Sequence, residues 1–415
     1  MDSFIVLIIN ALLYSSVFVW YARKKILSIG LTIWGLYTFS SWVSVLFFLQ
    51  PGFKGCMHDN PQHIEAVLYL FIVLYIFISP LFSITKMNAD TKERIPKEKM
   101  LMILVSVLSI VQILLVFVDF SKITETLSMN NDQLLDARTN VYYESNSLTA
   151  KNPFLAMLST LETAIHPLAA GLSIYLLLCY KKHRRLIKLF FLAVVFSTLK
   201  TVVVSVSRGE MISNAIYFAV VLVYLRDFIS VKAKKIMMIY LLPILVLSVV
   251  FFWTISISRF GDTASFMMYK YAGEPMINFA GLLYPKGANT TNGHAYLLSW
   301  YFHEFHSGMD KWEFIEKTVK IPGNIFYTIV GGFVIELGKF WTLIVALIFN
   351  RIITKKCRFQ KLSSFFVLLF FSYIYSYGVF LFKLQNQQGL FFILFTIVLY
   401  YYFDSYKNPA KINYY

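Results

Sequence analysis

The sequence predicts an all-α integral membrane protein of about eleven transmembrane helices with two long outer loops, its N-terminus outside and its C-terminus cytoplasmic. Three observations predict it. Of 415 residues, 58% are hydrophobic and only 14% charged, well away from the composition of a water-soluble globule. The apolar residues collect into runs long enough to cross about 30 Å of hydrocarbon. The 38 basic residues, which give a net charge of +16, fall between those runs rather than in one patch. The charge therefore describes topology and calls for no nucleic-acid partner.

In order, the runs cover residues 4–21, 27–49, 64–84, 100–118, 156–180, 186–206, 211–225, 236–257, 333–350, 362–382 and 390–403. The runs 211–225 and 390–403 are short and must borrow neighbours to span. The first run has no basic stretch ahead of it, is followed by Arg23-Lys24-Lys25 and lacks a small-residue cleavage pattern, so it reads as retained rather than removed. When the connections are taken alternately, about 24 of the 38 basic residues fall on one side, between 86 and 99, 181 and 188, 226 and 235, and 351 and 361 among others. That side is the cytoplasm. Cys56 then lies outside while Cys179 and Cys357 lie at the cytoplasmic edge, so no structural disulfide is expected.

The whole chain, 1–415, forms one polytopic domain in which two outer connections, 119–153 and 258–322, are too long for turns. Within the second, the stretch 311–320 sets Trp312, Phe314, Ile315 and Val319 among charges, the pattern of a short interfacial helix. Of ten arginines, three face outward: Arg138, Arg208 and Arg259. Ser197, Thr201, Ser205 and Arg208 follow one another at helical spacing with Lys200 beside them, and such a polar stripe in lipid must look inward. Arg259 ends another run after Thr254, Ser256 and Ser258. A guanidinium presents a fork of donors that suits a phosphate, although either arginine alone can also snorkel to headgroups. Glu162 and His166, four apart before Pro167, can touch on one helix face, as a proton relay or as a satisfied polar pair. Glu336 and Lys339, three apart, are expected to pair along one helix. His303-Glu304-Phe305-His306 lacks the spacing of a two-histidine zinc helix, so no metal or other cofactor is expected.

A resemblance enters with these residues. Val206-Ser207-Arg208-Gly209-Glu210, Ser258-Arg259-Phe260-Gly261-Asp262, Tyr271-Ala272-Gly273-Glu274-Pro275 with Asn278, Gly293-His294-Ala295-Tyr296 and Gly331-Gly332-Phe333 occur in this order around the largest outer connection. In this arrangement the chain resembles the Wzy-type O-antigen polymerases, the repeat-unit polymerases of bacterial surface polysaccharides. The resemblance implies a metal-independent glycosyltransferase of the bacterial inner membrane. It implies an undecaprenyl-diphosphate-linked oligosaccharide as substrate, transferred on the periplasmic face, and a chain-length regulator and a flippase as partners in the same pathway. In that scheme Arg208 and Arg259 meet the charge on the departing diphosphate, and Glu274 or His294 takes the proton of the acceptor hydroxyl. Arg138, Glu210, Asp262, Asn278 and Glu304 are the expected substrate contacts, with Tyr142, Tyr143, Tyr271, Tyr296 and Trp300 as candidate stacking faces for sugars or as interface anchors. A polysaccharide flippase and an O-antigen ligase stand as the alternatives. Repeat-unit sugars, linkage and oligomeric state are not legible in the sequence.

Overall fold

A computed structural model describes residues 2–24, 27–50, 52, 60–87, 97–130, 133–134, 152–206, 208–229, 261–286, 289–302, 305, 308–357 and 361–404. Among them there are helices and turns and no strand. The helices, in chain order, are α1 (Ser3–Ala22), α2 (Ile29–Phe48), α3 (Ile64–Ile78, extended by a 3-10 turn Ser79–Ser83), α4 (Glu98–Val118), α5 (Phe120–Ser128), α6 (Pro153–Cys179), α7 (Arg184–Val204), α8 (Arg208–Tyr224), α9 (Ala264–Asn278), α10 (Gly308–Val319), α11 (Ile329–Lys356), α12 (Leu362–Tyr377) and α13 (Asn386–Asp404).

Among the described residues seven helices are long and apolar enough to cross a membrane: α1, α2, α3 with its 3-10 turn, α4, α6, α7 and α11. Apolar stretches of α8 and α12 are shorter. The run 236–257 lies outside the described residues. Local chemistry starts several helices where the sequence places them. Asp2 accepts from the Phe4 N–H at 3.0 Å, Ser28 from Leu31 at 3.1 Å, and Asn152 precedes Pro153 at the first helical position.

Successive spans run in opposite directions, which gathers the connections at two ends. At one end the Gln62 N–H donates to Ser3 Oγ and the His63 N–H to the Ala280 carbonyl. At the other, Met87 N–H meets the Tyr224 carbonyl and Arg226 meets the Leu27 carbonyl. Arg23, Lys86, Lys97, Lys182, Arg184 and Lys356 all belong to this second, basic end. Helix α4 shows the solvent expected for such a bundle. Ile103, Val107, Ile110, Leu114 and Phe117 form one exposed apolar stripe, while Leu101, Val105, Leu108, Gln112 and Leu115 are buried on the other side.

The segment 258–322 is not an open loop. Helix α9 lies along α2, where the Ser40 hydroxyl donates to the Ala272 carbonyl at 2.6 Å. A Cβ at Gly273 would come within 2.8 Å of the Ser44 Cα, so only glycine permits this approach. After α9 the chain makes one π-helical turn, Phe279–Leu283, whose residues are all buried. The expected interfacial helix forms as α10, with Ile315 and Val319 buried.

Helix α11 departs from expectation. It breaks at Gly338, whose φ of 81° and ψ of 171° belong to a region open almost only to glycine. The break separates Glu336 from Lys339, and the expected pair is not made. Lys339 Nζ instead sits 3.9 Å above the Tyr284 ring, while Glu336 accepts from the Tyr296 N–H.

Candidate functional site

The end of the bundle opposite the basic one holds a layer of buried and half-buried ionisable side chains, assembled from four directions. Helix α8 contributes Glu210 from its first turn, the α12–α13 connection contributes Lys383, α11 contributes Glu336, and the segment 261–322 contributes Glu274, His294 and Lys311. Lys383 and Glu210 form an ion pair, joined by the Tyr377 hydroxyl, which reaches Glu210 Oε2 at 3.3 Å and Asn214 Oδ1 at 2.8 Å. Burial alone would lower the Lys383 ammonium, but the Glu210 carboxylate more than reverses this and raises it.

Beside this pair the turn 289–299 folds over the break in α11. Thr291 donates its N–H and its hydroxyl to the Ile335 carbonyl, at 2.9 and 3.2 Å, a carbonyl near the interruption at Gly338. The Tyr296 N–H donates to Glu336 Oε1, and the Asn386 N–H closes the other side of the turn on the Tyr296 carbonyl at 2.7 Å. Glu336 is fully buried. Thr291 and Leu297 lie close to the carboxylate, and its Oε2 makes no hydrogen bond to any described residue. His294, Lys311 and Tyr296 are charged or titratable neighbours of it. Lys311 Nζ donates to Gln385 Oε1 at 3.2 Å and lies 5.2 Å from the centre of the Tyr296 ring. Burial pushes this lysine down to about 8, with Glu336 opposing the shift.

Glu274 and Asn278, one turn apart on α9, are brought together as their spacing allows. Asn278 Nδ2 donates to Glu274 Oε1 at 3.0 Å and to the Phe326 carbonyl at 3.1 Å, which ties α9 to the segment before α11. Burial raises the Glu274 carboxyl, and the Lys270 ammonium and the Asn278 amide counter this in part. Tyr327 stands between Glu274 and Tyr296 and so connects this group with the one around Glu336.

The arginines central to the sequence reading lie outside the described residues, wholly or in their side chains. Arg208 opens α8 two residues before Glu210, but its side chain lies outside the described residues, as does that of Asp262 in the turn Gly261–Thr263. Arg138, Arg259 and Glu304 lie wholly outside them. Tyr296 and Tyr271 are not free faces for a sugar: Tyr296 packs on Phe382 at 5.5 Å and Tyr271 on Phe326 at 5.5 Å. Sequence reasoning missed Lys311 and Lys383 as site residues and gave Glu336 no part beyond an intrahelical pair. The one available signal for Glu336 was a glycine two positions on, inside an otherwise unbroken apolar run.

Compared with protein-family models, with curated proteins and with solved structures, the chain matches none.

The layer can do two things chemically. Lys383 and Lys311 offer positive charge, and Glu336 offers an acceptor oxygen with no partner among the described residues.

Proposed function

We propose that this chain is an integral-membrane glycosyltransferase of the bacterial inner membrane, a polymerase of surface-polysaccharide repeat units. It moves a growing glycan from its lipid diphosphate to the next lipid-linked unit on the outer face. The observation that carries this reading is the cluster of three carboxylates, Glu274 and Glu336 buried and Glu210 half-buried, with two lysines, Lys311 and Lys383, at the bundle end away from the basic one. Ionisable groups in such a setting cost at least ~2.5–3.5 kcal/mol each on insertion scales and are kept where a function uses them. The reaction needs the groups found there. A diphosphate leaves with increasing negative charge, which fixed cations stabilise, and a sugar hydroxyl must lose a proton to a carboxylate or imidazole. Arg208, at the head of the helix that carries Glu210, and Arg259 supply the guanidinium groups in this scheme.

Deleting the gene and resolving the surface polysaccharide on a gel tests the proposal. A polymerase leaves a single repeat unit on the lipid core, whereas loss of every repeat indicates a flippase or a ligase. Arg208→Ala and Arg259→Ala are each expected to abolish the ladder while the protein still inserts. Wild-type ladders from both variants rule out their assigned roles.

A further inference from the structure

A carboxylate buried in a bundle normally has both oxygens occupied, because an unpaired oxygen forfeits its hydration without return. Glu336 does not follow this. It is 0% exposed, one oxygen is held by the Tyr296 N–H, and the other has no hydrogen-bond partner among the described residues. The surroundings are arranged to keep that oxygen in place rather than to satisfy it. The helix break at Gly338 leaves the Ile335 carbonyl to Thr291, which pins the turn over the side chain. Across the turn, Asn292 and Gly293 take left-handed backbone, with φ of 52° and 89°. A Cβ on Gly293 would lie 3.8 Å from Oε2, so the glycine leaves room next to the unpaired oxygen. Lys339, the cation nearest in sequence, is turned away to Tyr284.

Glu274 differs in each respect. Its Oε1 accepts from Asn278, whose amide also holds the Phe326 carbonyl, so its carboxylate joins two segments of the fold.

We infer that Glu336 is the carboxylate that touches the acceptor hydroxyl and takes its proton during glycosyl transfer, a role that rests on the transferase reading above. The hydroxyl group fills the place beside Oε2 once the turn 289–298 lifts from the break. In the step, the hydroxyl O–H bond breaks and its proton passes to Glu336 Oε2. The hydroxyl oxygen bonds the anomeric carbon of the donor, and the bond from that carbon to the diphosphate oxygen breaks, its electron pair leaving with the diphosphate. The charged and titratable groups facing Glu336 are Lys311 from α10 and His294 and Tyr296 from the turn.

The test uses purified full-length protein and the lipid-diphosphate-linked oligosaccharide extracted from a strain deleted for this chain. Glu336→Gln is expected to bind this lipid as the wild type does and to lose polymer formation by about 100-fold or more, the range of a missing general base. The acid limb of the wild-type pH–rate profile should vanish in Glu336→Gln, and a purely structural role would not move it. Glu336→Asp keeps the charge but draws the oxygen back by one methylene, and it should lose about tenfold or more. Polymer formation within about threefold of wild type in either Glu336 variant overturns the role of Glu336 and leaves the transferase reading standing. A wild-type protein that forms no polymer from this lipid overturns the transferase reading and this role together.

Discussion

Two buried carboxylates in this protein sit in opposite conditions. Glu162, on α6, is 3% exposed, and its Oε1 is the focus of a network spanning three helices. Ser197 of α7 donates to it at 2.7 Å, His166 of α6 approaches at 3.1 Å, and Gln112 of α4 at 3.5 Å. His166 passes on to the Thr198 hydroxyl at 3.0 Å, and Lys200 pairs with Asp119 at 3.4 Å just above. Glu336 is equally buried, but its Oε1 accepts from the Tyr296 N–H, its Oε2 has no hydrogen-bond partner among the described residues, and the helix that carries it breaks two residues on. The first arrangement binds helices together. The second leaves an oxygen without a partner, at a cost in stability that the rest of the bundle must supply, and in the proposed role that oxygen is the reactive one.

The contrast can be broken most directly through stability. Glu162→Leu strips the acceptor from Ser197 and His166 at once and leaves them buried beside Lys200, so a loss of about 3 kcal/mol is expected, the cost of breaking a buried charged network. Glu336→Gln keeps an oxygen for the Tyr296 N–H and removes a charge that is poorly compensated, so its melting temperature in detergent should stay close to wild type. If thermal unfolding ranks the two variants the other way, Glu336 is the structural group and Glu162 becomes the functional candidate.

A smaller effect is expected at the break. Gly338→Ala asks an L-residue to hold a φ of 81° with ψ of 171°, and its Cβ would also meet Thr290 Cγ2 at 3.0 Å. Such a conformation costs about 1–3 kcal/mol. The helix can escape by straightening, which would pull Glu336 away from the turn. Polymer formation should then fall further than the melting temperature suggests. Equal losses in both measurements would reduce the break to a packing feature.

The sequence disclosed these two regions unequally, and for a physical reason. Glu162 and His166 touch because they are four apart on one helix, and the stripe through Ser197 faces them because lipid forbids it any other direction. Runs of apolar residues likewise mark the spans, since hydropathy reports the solvent around a helix directly. Glu336 depends on the Tyr296 amide, 40 positions earlier, and on a turn whose course no period encodes. Helical spacing pointed to Lys339 instead, and the backbone freedom of Gly338 overrode it. Lys311 and Lys383 were equally hidden: Lys311 read as one of the charges of an interfacial helix and Lys383 carried no pattern of its own, and only tertiary contact gives them Glu336 and Glu210.

Lys311 also provides the finest test of how dry the second region is. Burial pushes its ammonium down to about 8 from an ordinary 10.5, so between these values the folded protein binds fewer protons at this site than the unfolded chain does. Stability contributed by this site therefore rises with pH through that window. Below about 8 the lysine is charged in both states and the full penalty of burying it applies; above 10.5 it is neutral in both and the penalty is gone. Lys311→Met removes the titration, so its melting temperature relative to wild type should be highest below pH 8 and decline as the pH approaches 10. Other groups titrate in this range as well, but they do so in both proteins and cancel from the difference. A difference that stays flat from pH 7 to 10 would mean that water reaches Lys311, and hence its neighbour Glu336, already in the closed fold. The unpaired oxygen would then be solvated rather than reserved for a hydroxyl, and the two carboxylates would differ in degree only.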